Sequence, residues 1–361
     1  MIAKRPGQWW DHMSKIGRET KVAEEKLYRY ELSCDGGLED ILIDELRQCL
    51  GKRVSGLREE RGEVGRVFFD YEGSPRHLLA LECAGGVSSI VLEMHDITVG
   101  DPGLEKIRHR LAKLPLTSMG RMARIAAEEI DVEGYRLRVR QRGAHRFSVT
   151  DTEAAVRKAL AESGLSPSEN GFDLELRLQK RRAQLKLSLR HRGRSGPVES
   201  EGLGSASIAA IIRMLDLDES DDTVLIQGRS DAALAAKRVC QGRVVCTSMR
   251  RPVRPTQHVI VSHPDHLPLG AGTMTTAIVV IGDQEMAQIG VQTGVSRLTQ
   301  AVNCVAEDGV IAALVPRAEG FAARLPEWGL PVEVMGAIPV FVRRRRWALF
   351  LLHRLALVHL G

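Results

Sequence analysis

The sequence predicts a chain of two structural classes, an α+β first half and an α/β second half with a mostly parallel, doubly wound sheet. Strands in which apolar and polar residues alternate dominate the first half, whereas short apolar strands alternate with helical segments after residue 205. Residues 195–205 (SGPVESEGLGS) are rich in Gly, Ser and acid, which is typical of a linker. The chain of 361 residues exceeds the roughly 250 that one core usually supports.

Composition excludes several classes of protein. The chain is 43% apolar with a net charge of +5, which is typical of folded domains. The six cysteines form no C-x-x-C pair, so neither a disulfide nor a zinc framework is predicted, and a reducing compartment is expected. Residues 1–25 form a basic arm without the apolar core of a signal peptide. The apolar C-terminal stretch is broken by His353 and Arg354, well short of the about 20 residues that span a bilayer. A cytoplasmic protein without a membrane partner is predicted.

Residues 26–103 are predicted to form a small α+β unit. A strand over 28–33 is followed by a glycine turn and by a helix in which apolar residues recur at helical spacing from Leu38 to Leu46, and Gly51 ends this helix. A strand, a helix and another strand follow in GRVFFDYEG and PRHLLALECAGGVSSIVLEMHDI.

Residues 104–194 are predicted to form a second unit, which begins with helices over 104–114 and 118–129. In YRLRVRQR four arginines alternate with apolar residues, which predicts a half-buried strand with its charged side outward. Thr150 and Glu153 have the spacing of a capping box and predict the start of a helix. Two leucine-alternating strands then flank a basic turn in FDLELRLQKRRAQLKLSLR.

Basic residues accumulate in this second unit and face few acids in the sequence. They are Arg136, Arg138, Arg140, Arg142, Arg146, Arg157, Lys158, Arg177, Lys180, Arg181, Arg182, Lys186, Arg190, Arg192 and Arg194. A basic strand, a capped helix N-terminus and a basic hairpin together favour binding of phosphate groups, and therefore of nucleic acid. The alternative is a solvated sheet face.

Three segments in this half resemble a known arrangement. YRLRVRQRGAHRFSVTDTEAAVRKAL resembles the THUMP domain, in which a strand with Arg-x-Gly-x-His precedes a helix. YELSCDGGLEDILIDEL is similar to the opening of the ferredoxin-like unit that precedes THUMP in many RNA-modifying enzymes, and FDLELRLQKRRAQLKLSLR to the final THUMP hairpin. The resemblance covers residues 28–190 and implies recognition of structured RNA, typically tRNA, through backbone and shape. The candidate RNA-binding residues are Arg138, Arg140, Arg142, His145, Lys180, Arg181 and Arg182.

Proteins with this first half usually continue into a Rossmann-like, class I S-adenosylmethionine-dependent methyltransferase domain, often acting on guanine N2. The order of strands and helices over 206–361 matches such a domain. HPDHLPLGAGTMTTAIVVIGDQ resembles the segment that contacts the adenine and leads into the catalytic strand. If the domain is active, Gly228 and Asp265 are the residues expected to contact the cofactor, and Asp283 is expected to accept a hydrogen bond from the amine that is methylated.

The second half departs from this pattern at four places. VLIQGRSDAAL offers only Gly228 for close approach of the cofactor, and the cation of Arg229 would lie near the sulfonium. GRVVCTSM ends without an acid for the ribose, and His263 stands at the usual acid position, with Asp265 nearby. The turn IGDQ lacks the proline and the aromatic residue that stacks on the base. The favoured interpretation is a retained fold with a degraded site and no cofactor; the alternative is an active enzyme with a rearranged site.

The sequence therefore predicts a protein that binds structured RNA and presents it to a partner enzyme, or stabilises it. The alternative is an active RNA methyltransferase that uses S-adenosylmethionine. His263 and His266 have no evident third ligand, so no metal site is predicted. The basic run 343–346 is either a solvated strand end or a second RNA contact, and Trp9-Trp10 either stacks on a base or packs the arm.

Overall fold

The computed structural model describes residues 28–114, 119–120, 122–124, 131–189, 203–217, 222–227, 236–248, 259–261, 267–281, 291–316, 319–342 and 344–356. The predicted basic arm, with its two tryptophans, and most of the predicted linker lie outside these ranges. So does most of the predicted helix over 118–129, of which the described positions 119–120 and 122–124 are helical.

The described residues of the first half form an eight-stranded sheet with the order β2-β3-β1-β4-β8-β7-β5-β6. Its strands are β1 (Tyr28–Asp35), β2 (Val54–Glu60), β3 (Val64–Tyr71), β4 (Gly86–Met94), β5 (Asp131–Arg142), β6 (Ser166–Pro167), β7 (Gly171–Gln179) and β8 (Arg182–Ser188). β4 pairs with β8 in antiparallel fashion, with Ser89 opposite Leu187. This pairing joins strands from both predicted units into one sheet, and the predicted boundary at 103/104 stays a prediction.

Besides the helical positions between 119 and 124, four helices with described ends accompany this sheet. They are α1 (Glu39–Leu50), α2 (Pro75–Leu79), α3 (Asp101–Leu111) and α4 (Val149–Glu162). Alternate leucines of β7 and β8, among them Leu176 and Leu185, are fully buried in one core cluster with Val156 and Leu160 of α4. α3 begins three residues before the predicted position because Pro102 occupies its first turn, where its missing N–H costs nothing.

The second sheet has seven described strands in the order β11-β10-β9-β12-β13-β15-β14. They are β9 (Thr223–Gln227), β10 (Arg243–Ser248), β11 (Val259–Val261), β12 (Met274–Val280), β13 (Val305–Pro316), β14 (Val332–Val342) and β15 (Arg345–Arg354), with helices α5 (Ser205–Met214), α6 (Val291–Cys304) and α7 (Phe321–Arg324). β9 to β13 are parallel, and β14 and β15 close the sheet as an antiparallel pair. The order reverses between β9 and β12, which is where open sheets of this kind bind ligands.

The two sheets contact each other at the end of β1. The backbone N–H of Phe341 on β14 donates to the carbonyl of Gly36 at 2.8 Å. A Cβ on Gly36 would lie 1.8 Å from the Gly62 carbonyl oxygen and 3.1 Å from the Phe341 ring, so only glycine fits here. The Ser207 hydroxyl of α5 donates to the Asp35 carboxylate at 2.5 Å. The first half is therefore docked on the second through backbone as well as side chains.

A buried carboxylate adds a second link between the halves. Glu45 on α1 is 1% exposed and accepts from the backbone N–H groups of Glu82 at 3.0 Å and Cys83 at 2.9 Å. Arg213 on α5 lies 3.3 Å from the same carboxylate. Because a buried charge needs such partners, Glu45 fixes α1, the 82–83 loop and α5 relative to one another.

Replacing Glu45 by glutamine is expected to lower the free energy of unfolding by about 2 kcal/mol, because a neutral amide replaces the acceptor of charge-assisted hydrogen bonds. Urea denaturation followed by circular dichroism measures the change. Glu63→Gln, at an exposed position, is the control and should leave the midpoint unchanged. Equal effects of the two substitutions would contradict the proposed link.

Candidate nucleic-acid interface

The alternating arginines of β5 share one face of the first sheet with the polar residues of β7. In the parallel register between these strands, Arg136 lies beside Asp173 and Arg138 beside Glu175. Arg140 is beside Arg177. Acids therefore stand directly next to part of the arginine row, a pairing that the sequence alone did not reveal because register depends on the whole sheet.

Two arginines of the row are held in ion pairs. Arg136 Nε lies 2.8 Å from Asp173 Oδ1, and Arg140 Nε lies 3.4 Å from Glu175 Oε2. Glu175 is also paired with Arg177 at 2.9 Å. The prediction that the basic residues face few acids is therefore wrong for this half of the row, since their charges are largely neutralised within the sheet.

The other two arginines of the row are available to a ligand. Arg138 and Arg142 are exposed, and within the described part of the chain neither forms an ion pair. They lie four residues apart on one strand, which separates their Cα atoms by about 13 Å. One small anion cannot contact both, whereas a polyanion with several phosphates can.

The charges of this face influence one another. Burial lowers the pKa of the Arg140 guanidinium below its ordinary value, and the Glu175 carboxylate opposes this shift. The positive charges of Arg177 and Arg138 lower the pKa of Arg140 further. Burial raises the pKa of Glu175, but Arg177 and Arg140 outweigh it, so this pKa lies below its ordinary value. The carboxylate is thus ionised at neutral pH and holds its two arginines in place.

The basic turn between β7 and β8 extends this face. Arg142, Gln179 and Arg182 are in register across β5, β7 and β8, so that Arg182 continues the row toward β8. Lys180, which occupies the turn at φ 53°, donates its backbone N–H to the Arg142 carbonyl at 2.9 Å. Lys180, Arg181 and Arg182 are all exposed. The structure brings these predicted residues together with Arg142 at one end of the strands.

His145 lies in the loop that follows β5, where its role is packing. Its ring packs against Phe147 in a tilted arrangement with a centroid distance of 5.1 Å. Both ring nitrogens are buried, and no described residue forms a hydrogen bond with them. Gly143 adopts φ 119°, a value that favours glycine, and a Cβ there would approach the Lys180 backbone at 3.3 Å. The Gly-x-His spacing thus shapes a tight loop, and an RNA contact by His145 stays a prediction without support from its position.

The start of α4 differs from the predicted capping box. Ser148, and not Thr150, is the N-cap residue: its hydroxyl accepts from the Asp151 N–H at 3.1 Å, and Asp151 accepts from the Ser148 N–H at 2.8 Å. Glu153 instead pairs with Arg157 at 2.6 Å. These hydrogen bonds from Ser148 lower the pKa of Asp151. Because this carboxylate occupies the first turn, the N-terminus of α4 does not support the predicted phosphate contact.

The carboxyl ends of the second sheet are the other candidate site. Gly228, Asp265 and Asp283, the predicted cofactor and catalytic residues, lie outside the described residues. β9 ends at Gln227 and β10 at Ser248, and the described ends of β9 to β12 carry no carboxylate. The residues that end β9 and β10, Gln227 and Ser248, have a neutral amide and a hydroxyl as acceptors, so the ionised partner that the resemblance implies for the ribose is not among them.

Gln227, at the carboxyl end of β9, is a candidate site residue that the sequence patterns do not single out. Gln227 is 4% exposed, and neither of its amide atoms has a hydrogen-bond partner among the residues that the structure describes. No local sequence pattern distinguishes Gln227 from a surface glutamine. Its position at the end of a buried strand makes it notable. Across the described ranges, no group of three potential metal ligands occurs. No helix in the same ranges has the length and apolar character needed to cross a membrane.

Comparisons with known proteins identify the fold. No family model matches the chain, and no curated protein matches it. TrmN from Thermus thermophilus is 17% identical, with 91% of this chain and 99% of that chain covered and a TM-score of 0.67. A possible methylase from Clostridium difficile 630 is 10% identical, with coverage of 92% and 99% and a TM-score of 0.56. SMU.472, solved in complex with SAH, is 12% identical, with coverage of 92% and 99% and a TM-score of 0.59.

These structures share the fold of nearly the whole chain. The predicted fold class is confirmed: an α+β first half is followed by an α/β second half with a Rossmann-like fold, as in these structures. At such low sequence identity the similarity concerns the fold alone. Membership of the first half in the THUMP family and specificity for guanine N2 stay predictions.

Proposed function

We propose that the protein binds structured RNA, most simply tRNA, through the arginine face of β5 and the basic turn between β7 and β8. The observation that carries this proposal is the pair of exposed arginines, Arg138 and Arg142, whose charges no described acid neutralises. Arginine suits this role because its planar guanidinium donates two parallel hydrogen bonds to a phosphate.

The extent of the surface favours RNA over a small anionic ligand. The row continues from Arg138 through Arg142 to Arg182 across neighbouring strands. Folded RNA presents phosphates over such distances, and recognition through backbone and shape needs no pocket. Asp173 and Glu175 hold Arg136 and Arg140, which alternate with Arg138 and Arg142 along β5. Arg138 and Arg142 therefore project from a face whose other arginines are fixed.

For the second half we propose a retained methyltransferase fold without an ordinary S-adenosylmethionine site. The departures of GRVVCTSM and IGDQ from the family pattern support this part of the proposal, as do the neutral residues Gln227 and Ser248 at the described ends of β9 and β10. The protein would then present bound RNA to a partner modification enzyme or stabilise that enzyme or the RNA by binding. No cofactor is needed for that role.

An active S-adenosylmethionine-dependent RNA methyltransferase, acting on guanine N2, is the second candidate. Two observations favour it: the similarity in fold to SMU.472 with SAH bound, and the amide of Gln227, which is buried at the end of β9 without a partner among the described residues. S-adenosylmethionine would supply the methyl group. Gly228 and Asp265 would then contact this cofactor, and Asp283 would accept a hydrogen bond from the amine.

Two measurements on the purified protein test the proposal. Fluorescence anisotropy with labelled tRNA is expected to show binding at low ionic strength that weakens as salt is added. Calorimetry with S-adenosylmethionine is expected to show no binding, and incubation with tRNA no methyl transfer. Absence of tRNA binding at low ionic strength would overturn the RNA-binding role. Micromolar cofactor binding together with methyl transfer would establish the second candidate instead.

A further inference from the structure

The end of the first sheet, beyond the last residue of β5, carries basic residues that the face of β5 does not include. The segment 95–99, which follows β4, crosses this end and is held there by two backbone hydrogen bonds. Ile97 donates its N–H to the Arg181 carbonyl at 2.9 Å, and Arg146 donates its N–H to the Val99 carbonyl at 2.7 Å. The segment therefore joins the basic turn between β7 and β8 to the loop that follows β5.

These bonds bring three cations to one place. The two residues of the segment that form them are two positions apart, so their Cα atoms are at most about 7 Å apart. Arg181 and Arg146 are therefore close neighbours at this end. Lys106 of α3 reaches the same segment, because its Nζ donates to the His95 carbonyl at 2.9 Å. Arg146, Arg181 and Lys106 are all exposed.

The acids at this end offset little of that charge. Asp96 lies 4.0 Å from Arg181, and water screens the attraction because the two side chains are 81% and 66% exposed. Glu105 is held by Arg108 at 2.9 Å. Asp101 occupies the first turn of α3, where it complements the helix dipole. Within the described part of the chain, the other two cations form no ion pair.

The three cations continue the arginine row of β5 around the end of the sheet. α4 covers the leucine side of β5 and β7, and α3 packs against α4. The arginines of β5 face the opposite side of the sheet, because they are in register with the polar residues of β7 that alternate with its leucines. Lys106 on α3 and Arg138 on β5 therefore lie on opposite sides of the sheet, and Arg146 and the basic turn lie between them at its end.

Cations on both sides of one end suit a double-stranded ligand. A single backbone would have to turn sharply to follow both sides, whereas a duplex presents two backbones on the two sides of a groove. The minor groove of A-form RNA is wide and shallow, and proteins contact phosphates and 2′-hydroxyls across it. Val99, beside Arg146, is 45% exposed and can pack on the ribose rings between the backbones.

We propose that Arg146, Arg181 and Lys106 form a second phosphate-binding row, and that this row and the exposed arginines of β5 bind the two backbones of one RNA duplex. The inference rests on the proposed RNA-binding function and names the class of RNA, a double-stranded stem whose minor groove faces the end of the sheet. It extends the interface to the segment 95–99 and to α3.

The double variant Arg146→Gln with Lys106→Gln tests the second row. Affinity is measured by fluorescence anisotropy over a series of KCl concentrations, with a labelled RNA hairpin and with labelled oligouridine of equal length. The hairpin affinity should fall on the order of 10-fold, and the slope of log K against log salt should decrease by about two phosphate contacts. The oligouridine affinity should change less than about 2-fold, because one backbone needs only the row on β5.

A single variant protects this test against a loss of stability. Lys106→Gln removes a hydrogen bond to the backbone, whereas the described hydrogen bond of Arg146 is made by its backbone N–H. Arg146→Gln alone should therefore keep the thermal midpoint and still lower the hairpin affinity about 3-fold. The matched control, Lys52→Gln with Arg324→Gln, removes one lysine and one arginine from exposed positions after α1 and on α7. It should leave both affinities nearly unchanged.

Three results would overturn the inference while leaving the proposed function intact. They are unchanged hairpin affinity and salt slope in both variants, an equal loss of affinity for hairpin and oligouridine, and an equal loss in the matched control. The second result would mean that both rows hold one backbone. A wild-type protein that binds neither the hairpin nor tRNA at low ionic strength would overturn the inference and the proposed function together.

Discussion

Replacing Arg138 and Arg142 together by glutamate is expected to weaken tRNA binding on the order of 100-fold at low ionic strength, and to flatten the dependence of affinity on salt. Each substitution removes an attraction to phosphate and adds a repulsion. Within the described residues neither arginine has an ion-pair partner, so the folded state should lose little stability. A gel shift or anisotropy titration over several KCl concentrations measures affinity and slope.

A matched control separates the effect of this surface on tRNA affinity from the effect of the protein's net charge. Arg47→Glu with Arg324→Glu makes the same change in net charge at exposed positions on α1 and α7. Its effect on tRNA affinity should be several-fold smaller. Similar losses for both double variants would mean that net charge, and not the face of β5, governs binding.

Lys186→Met is expected to lower the free energy of unfolding by about 3 kcal/mol, because it leaves a buried carboxylate without its main partner. Lys186 on β8 and Glu31 on β1 form an ion pair, and their exposed fractions are 3% and 6%. Burial lowers the pKa of Lys186, and the Glu31 carboxylate opposes this shift. After the substitution, the ion pair that Glu31 keeps within the described part of the chain is with Arg66, at 3.6 Å.

A double-mutant cycle tests the cause of this loss. Lys186→Met combined with Glu31→Leu removes both charges, so no unpaired charge remains buried, and most of the lost stability should return. Urea denaturation of the wild type, the two single variants and the double variant provides the four free energies. A double variant as unstable as the sum of the single ones would show that packing, and not the buried charge, is responsible.

Local sequence patterns predict the strands well but not how they are paired. The alternation of leucine with charged residues places β5, β7 and β8 correctly, since it follows directly from the two faces of a half-buried strand. The pairing of Arg136 with Asp173 depends on the register between β5 and β7, which the surrounding sheet and turns fix. The sequence alone therefore overestimates the positive charge that β5 offers to a ligand.

Contacts between segments that are distant in the chain cannot be predicted from local sequence patterns either. The basic run near Arg344 has two interpretations in the sequence, and the hydrogen bond between Phe341 and Gly36, more than 300 residues apart, is what places it beside the first sheet. Likewise, Gln227 becomes notable only because β9 ends in a buried environment. The order of helices and strands in the second half was predictable, because each element has its own hydrophobic period.

The pairing of β4 with β8 also determines how the first half can be divided. A fragment that stopped near residue 103 would leave the β4 edge, which β8 normally covers, open to water and to other chains. Exposed strand edges of this kind recruit further strands and cause aggregation. The strands before and after that point therefore depend on each other for solubility, although sequence patterns make them look like separate modules.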